Sequence, residues 1–498
     1  MSALANLEPK SVFHYFEEIS QIPRGSGNIK RISDYLVNFG REHNLEYYQD
    51  PVGNVILVKE ATPGMVDHEP MILQGHMDMV AVKTQACPLD MKKDGLVLRV
   101  KDDEISAAGT SLGGDDGIAI AYALALLDSN DIPHPRLEVV LTVEEEVGMD
   151  GAREIVLSML KGKRMINIDS EEEGVFTVGC AGGARVDFEM MGKAETYKNH
   201  MLLELKIGGL QGGHSGTEIH KERANSNQLF GRVLEELTRV YPVKLVGVKG
   251  GEADNAIARE TTAKFVFAEE KNDQGEQISY RRDGIHNLLN KIHEELREEI
   301  GSKDHAFKMT WTFTDLKDKD AEAITAVDTR KIALFLCSLP NGVQAMSADI
   351  EGLVETSLNF GVLKQKTVLH DGYVLASFSV RSSVESAKNA LIHKLFAIGK
   401  MAGVKYRVRS EYPGWKYRVD SPLREQMVAL YQELYQADPQ IVAIHAGLEC
   451  GLFMSKIPDL DCVSIGPNMR NIHTTEETLS ISSVQRVWEY LVMLLQRI

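Results

Sequence analysis

Apolar residues recur at helical spacing from Ser11 to Ile19 and from Asn28 to Phe39, whereas Val55–Val58, Met71–Leu73 and Leu137–Leu141 are short, almost wholly apolar runs. The first pattern predicts amphipathic helices and the second buried strands. Ile118–Leu127 (IAIAYALALL) is apolar nearly all round, which predicts a helix packed against a sheet. Arg164–Ile168 (RMINI) reads as a further buried strand. Helices alternating with buried strands predict an α/β layer with a mainly parallel sheet.

The periodicity changes near Gly182. Residues 184–212 read as alternating strands, Ala224–Val240 as a helix and Lys244–Ala268 as a hairpin-like pair. Helical spacing returns at Gly284–Glu299, Arg330–Leu339 and Ala387–Ala402, with strand-like Lys308–Phe313, Ala348–Phe360 and Tyr373–Val380 between. After Pro413 the first character resumes in a helix at Pro422–Tyr435, a strand at Cys462–Ile465 and a helix at Val484–Leu495. The economical partition is one α/β domain built from residues 1–183 and 412–498, interrupted by an α+β domain over 184–411.

Composition narrows the function. The formal charge is −17, from 55 Lys and Arg against 72 Asp and Glu, so a nucleic-acid or acidic-membrane partner is not expected. Five scattered cysteines with no C-x-x-C pair indicate neither a disulfide framework nor a thiolate zinc cage. The N-terminus carries acids early and does not read as a signal peptide, and Ile118–Leu127 is too short to span roughly 30 Å of hydrocarbon. The expectation is a soluble cytoplasmic protein.

The acids and histidines are not spread evenly. Gln74-Gly75-His76-Met77-Asp78 follows a predicted buried strand, where open parallel sheets place their ligands. In an extended segment His76 and Asp78 point the same way, so Asp78 can hold the imidazole tautomer; the pair also reads as a surface His-Asp. Gly113-Gly114-Asp115-Asp116-Gly117 opens the apolar helix, either as an Asp cap with turn glycines or as a carboxylate site. No Lys-Ser/Thr follows, so it is not a phosphate loop. Glu144-Glu145-Glu146-Val147-Gly148 follows the next strand, Asp169 ends RMINI, and His473 follows the Cys462–Ile465 strand. Each alone reads equally as a solvated acid or a loop histidine. Gathered at the strand ends of one domain, they suit zinc or a similar divalent ion, or two ions sharing a carboxylate.

GHMDMV, LGGDDGIA, TVEEEVGM, GGHSG, HAGLECG and GPNMRNIHTTEE occur in this order over essentially the whole chain. The set resembles the co-catalytic zinc metallopeptidase family that includes aminoacylase, carboxypeptidase G, tripeptidases and carnosinases. The resemblance implies a zinc-exopeptidase-like catalytic domain with an inserted lid or dimerisation domain. It implies two divalent ions per subunit, Zn2+ first, with Co2+ or Mn2+ accepted by the same donors. His76 and Asp169 would hold one ion and Glu146 and His473 the other, with Asp115 bridging and a cis peptide after it. Glu145 would be the general base and Asp78 would orient His76. Aligning the E-E-x-G motif on Glu145–Gly148 leaves Glu144 outside the ligand set.

In the insertion the motif Gly212-Gly213-His214-Ser215-Gly216 matches the lid histidine motif of that family, and Asn255 and Arg381 match positions that contact the substrate end. Ser379 stands where the commoner Asp-x-Arg pattern has Asp. No carboxylate or cysteine joins His220 and His214 into a separate metal pair. Glu449 reads either as the partner of a substrate's free amino group or as a solvated loop acid. The expected activity is hydrolysis of short unblocked peptides, Xaa-His and other dipeptides, in a homodimer joined through the lid. The alternatives are an amidase or deacylase of N-acyl amino acids and a catalytically silent metal- or peptide-binding module.

Overall fold

The buried runs of the first and last parts of the chain become neighbouring strands of an eight-stranded sheet in the computed structural model, which describes residues 3–198, 200–268, 270–271, 277–278, 282–316, 319–368 and 371–498. Leu137–Thr142, Met71–His76, Arg164–Asn167 and Asp461–Ser464 lie side by side and run parallel. The flanks are antiparallel: Val55–Lys59 pairs antiparallel with Leu137–Thr142, Glu46–Gln49 with Val55–Lys59, and Val175–Cys180 with Asp461–Ser464. The expected parallel sheet is therefore its central part. The Glu46–Lys59 flank is a hairpin, a connection too short for a parallel crossover. Its turn is held by Asp50, whose Oδ1 accepts the N–H groups of Val52, Gly53 and Asn54.

Residues Met1–Cys180, Trp415–Ala443 and Leu448–Ile498 form one compact unit around this sheet. Helix Gly114–Asp128 is buried from Gly114 to Leu127, as its all-round apolar pattern requires, and Tyr122 donates from its hydroxyl to the Val484 carbonyl at 2.9 Å. Truncation of a fully buried residue such as Leu124 to Ala would cost ~2–5 kcal/mol. Among the described residues no helix is long and apolar enough to cross a membrane.

Ala181–Gly414 and Ile444–Gly447 form the second unit. Ile444–Gly447 thus clusters with the insertion rather than with its sequence neighbours. The unit is built on an antiparallel ten-stranded sheet in which Gly182–Tyr197 pairs with Asp371–Ser382, and Asp371–Ser382 with Val354–Val368. Helices Ser226–Val240, Arg282–Ile300, Ala326–Ser338 and Glu385–Met401 supply Phe230, Leu289, Phe335 and Leu395 to its core. Two element starts in this unit lie furthest from the sequence reading. The helix expected from Arg330 begins at Ala326, because the Thr325 side chain caps the Asp328 N–H. The strand expected from Ala348 begins at Val354, because Ser347 Oγ draws the Asp349 and Ile350 amides into a turn.

Candidate metal centre

The central parallel strands end on one sheet edge, and the candidate residues follow those ends. His76 closes strand Met71–His76, which is buried along its whole length. Asp169 follows Arg164–Asn167, Glu145 and Glu146 follow Leu137–Thr142, and His473 lies beyond Asp461–Ser464. His76 Nε2 lies 3.0 Å from Asp115 Oδ1 and 3.4 Å from Asp169 Oδ1. His473 Nε2 lies 3.0 Å from Asp115 Oδ2 and 3.0 Å from Glu146 Oε1. Asp115 therefore offers one oxygen to each imidazole. The Asp115–Asp116 peptide is cis.

Three sets of side chains bring potential ligand atoms within 4.8 Å of one another: His76, Asp116 and Asp169; His76, Glu145 and Glu146; and Asp115, Glu146 and His473. Asp116 was not among the residues singled out in the sequence. Its Oδ2 accepts the His76 N–H at 3.1 Å, while its Oδ1 is buried with no hydrogen-bond partner. Beneath His76, the Asp78 carboxylate lies 3.5 Å from Nδ1 and accepts from Ser26 Oγ at 2.7 Å and from the Glu145 N–H at 3.1 Å.

Carboxylates outnumber cations here, and the proton affinities show it. Burial opposes a charge on His76, yet Asp169, Asp115 and Asp78 together raise its pKa well above the usual value. Hydrogen bonds to Asp115 and Glu146 push His473 up to about 10. Burial raises Asp169 to about 6 and lifts Glu145 well above the carboxylate range, with neighbouring acids adding to both. Asp115 moves the other way: burial is outweighed by its bonds to the two imidazoles. Imidazoles and carboxylates without a thiolate, with a buried oxygen left unpaired, are a donor set suited to divalent cations of the zinc or manganese kind.

In the second unit His214 lies in the short strand Gly213–His214, paired with Ala256–Ile257. Its Nδ1 accepts the Thr217 N–H at 3.1 Å, which leaves the proton on Nε2 of a neutral ring. Burial and the nearby Arg381 lower its pKa. Arg381 is 5 % exposed; Nη1 donates to the Tyr412 hydroxyl at 3.2 Å and Nε has no partner. The Ser379 hydroxyl accepts from Arg185 Nη1 at 2.8 Å. Asn255 is exposed, and its carbonyl accepts the Ser215 N–H at 2.8 Å. His445, not singled out in the sequence, is buried against Ser357 with Nε2 2.7 Å from Oγ, and burial and Arg381 push it down to about 3.

A family model described as peptidase family M20/M25/M40 matches residues 72–497. The chain belongs to this peptidase family. It is 36 % identical over 501 residues to the cytosol non-specific dipeptidase of Escherichia coli strain K12, covering 100 % of this chain and 99 % of that protein. The crystal structure of aminoacylhistidine dipeptidase from Vibrio alginolyticus superposes with a TM-score of 0.87 at 34 % identity, over 99 % of this chain and 98 % of that one. Aminopeptidase PepT from Bacillus cereus shares the fold, with a TM-score of 0.59 at 15 % identity over 98 % of both chains. The chain is a hydrolase acting on peptide bonds.

The M20 site rests on residues that sequence reasoning passed over. Arg24, 2 % exposed, donates from Nη1 to the carbonyls of Met77 at 3.1 Å and Asp78 at 3.2 Å, and from Nη2 to that of Gly113. Glu144 accepts the Gly27 N–H at 2.8 and 3.0 Å. The available signal was Pro-Arg-Gly-Ser-Gly-Asn before the second helix, which reads as an ordinary turn. Glu144 and His473 hold positive φ of 58° and 62°, uncommon outside glycine and frequent where a site dictates the backbone.

Glu449 lies inside the first unit rather than at its surface. It is 1 % exposed, its Oε2 accepts from Thr142 Oγ1 at 2.5 Å and Gln74 Nε2 at 2.6 Å, and burial pushes it up to about 8. Buried and held by two donors, it is not a solvated loop acid.

Proposed function

We propose that this M20 peptidase is a dipeptidase for short unblocked peptides, working with two divalent ions. His76 and Asp169 would hold one ion, Glu146 and His473 the other, and Asp115 would bridge them. The observation that carries this reading is the division of Asp115, with Oδ1 3.0 Å from His76 and Oδ2 3.0 Å from His473. When bound, such ions supply a water of lowered pKa and polarise the scissile carbonyl.

Glu145, half-buried beside Glu146, takes the proton of the attacking water and returns it to the leaving amine. Burial and neighbouring acids raise its affinity for that proton, and cations in the cluster act in the opposite sense, moving it towards the working range. Asp78 is its positioning partner through the Glu145 N–H. In the second unit His214 donates from Nε2 to the scissile carbonyl or the substrate carboxylate, and Arg381 and Asn255 recognise the free C-terminal carboxylate.

The names of the E. coli and Vibrio relatives support a dipeptide substrate, Xaa-His included, and a cytosolic location. Zinc as the first metal and a homodimer through the second unit complete the reading. Purified protein supplied with Zn2+ or Co2+ should hydrolyse a panel of free dipeptides and spare their N-acylated counterparts. No turnover with the ions bound, or a preference for the N-acylated series, would overturn it.

A further inference from the structure

Glu477 is 3 % exposed and, among the described residues, its carboxylate has no side-chain donor in hydrogen-bond range; it accepts three main-chain N–H groups instead. Oε2 takes those of Leu112 at 2.8 Å and Gly113 at 3.0 Å, and Oε1 takes that of Gly114 at 2.8 Å. These amides immediately precede Asp115, at the N-terminus of the buried helix Gly114–Asp128, where main-chain N–H groups lack partners of their own. Glu477 lies four residues after His473 on the loop that carries that imidazole. One buried carboxylate thus clamps the loop bearing Asp115 to the loop bearing His473. Arg24 Nη2 donates to the Gly113 carbonyl, so both main-chain polar groups of Gly113 are held.

We infer that Glu477 is a positioning residue of the metal centre, setting the separation of Asp115 and His473 and hence the affinity of the ion that these two residues and Glu146 would share. The inference rests on the two-ion reading above. The clamp is directional. His76 and Asp169 lie at or just beyond the ends of paired strands, so their half of the site depends on Glu477 only through Asp115, whereas the other half depends on it through both Asp115 and the His473 loop. The contact between His473 and Asp115 joins residues 358 apart in sequence across two loops. Because the Gly113 and Gly114 N–H groups donate to Glu477, they are not turned toward the ligand oxygens of Asp115.

The test uses full-length protein stripped of metal and titrated with Co2+, followed by the Co2+ absorption spectrum, with steady-state rates on free dipeptides in parallel. The wild type should take up two ions. Glu477→Ala should lose at least about tenfold affinity for the second ion and clearly less for the first, which it touches only through Asp115, with kcat down about 10–100-fold and KM within about twofold. Glu477→Gln, which keeps one acceptor oxygen but turns an NH2 group toward an N–H donor, should fall between them and serves if the alanine variant does not fold. Two ions bound with wild-type affinity in both variants, or a uniform loss at both sites, overturns the role of Glu477 while leaving the two-ion reading intact. Fewer than two ions in the wild type overturns both.

Discussion

The Asp78 carboxylate accepts the main-chain N–H of Glu145 at 3.1 Å while lying 3.5 Å from Nδ1 of His76. One buried residue therefore meets a proposed metal ligand and the proposed general base together, its main-chain carbonyl lying 3.1 Å from His76 Nδ1 and its carboxylate holding the Glu145 amide. Asp78→Ala should lower kcat about 10–100-fold and weaken metal binding, with little change in KM. Asp78→Asn retains an oxygen for the Glu145 amide and should recover part of the rate. Steady-state kinetics on both variants, with metal content measured by atomic absorption, checks this; a wild-type rate in Asp78→Ala would show that neither residue needs it.

Glu145→Gln removes the base and keeps the shape. Turnover should drop by about 10²–10⁴, the usual contribution of positioned proton transfer, while both ions remain bound. Normal turnover in that variant would remove Glu145 from the mechanism.

Protonation and metal uptake should oppose each other. In protein stripped by chelator, His473 at about 10 and Asp169 at about 6 both bind protons more tightly than in the unfolded chain. Groups with raised pKa stabilise the fold at low pH and lose that contribution as pH rises through the folded value. The melting temperature of the stripped protein should therefore fall between pH 6 and 10, and apparent Zn2+ affinity should rise over the same interval as ligands deprotonate. Calorimetry across this range, with and without Zn2+, reads both slopes. A stripped protein whose stability is flat with pH would contradict the carboxylate-held imidazolium of His473.

Arg381 is buried with Nε unpaired, near a neutral His214 and a neutral His445. A charge-assisted bond to a free carboxylate is worth ~1.5–3 kcal/mol, or about 10–150-fold in kcat/KM. Arg381→Ala should lose that factor on free dipeptides and almost nothing on dipeptide amides. Equal losses on both series would mean that Arg381 does not meet the carboxylate.

His76, Asp78, Asp169 and His473 were legible because each follows an apolar run, and a buried run announces both a strand and its end. The pairing of His473 with Asp115 was not readable from periodicity, since it joins residues 358 apart. Arg24 and Glu477 were invisible for a related reason. They act on main-chain groups 89 and about 365 positions away, and an amide is the same whatever residue carries it. The strand Glu46–Gln49 escaped because all four of its residues are exposed, leaving no alternation to read.

Glu449 ties the strand bearing His76 to the strand preceding Glu145, through Gln74 and Thr142, and Gln74 Oε1 in turn accepts from Asn167 Nδ2 at 2.6 Å. Its proton affinity is raised by burial to about 8, so the protonated acid is the form that fits the fold. That contribution is complete below the unfolded value of about 4.3 and is lost as pH climbs through 8. Glutamine reproduces the neutral acid at every pH. Glu449→Gln should therefore match the wild-type melting temperature near pH 4 and exceed it by a margin that grows as pH rises towards 8. Glu449→Ala strips Gln74 and Thr142 of their shared acceptor and should cost ~1–3 kcal/mol near pH 4. A glutamine variant that is destabilised equally at pH 4 and pH 8 would mean that the ionised carboxylate is the form the network holds.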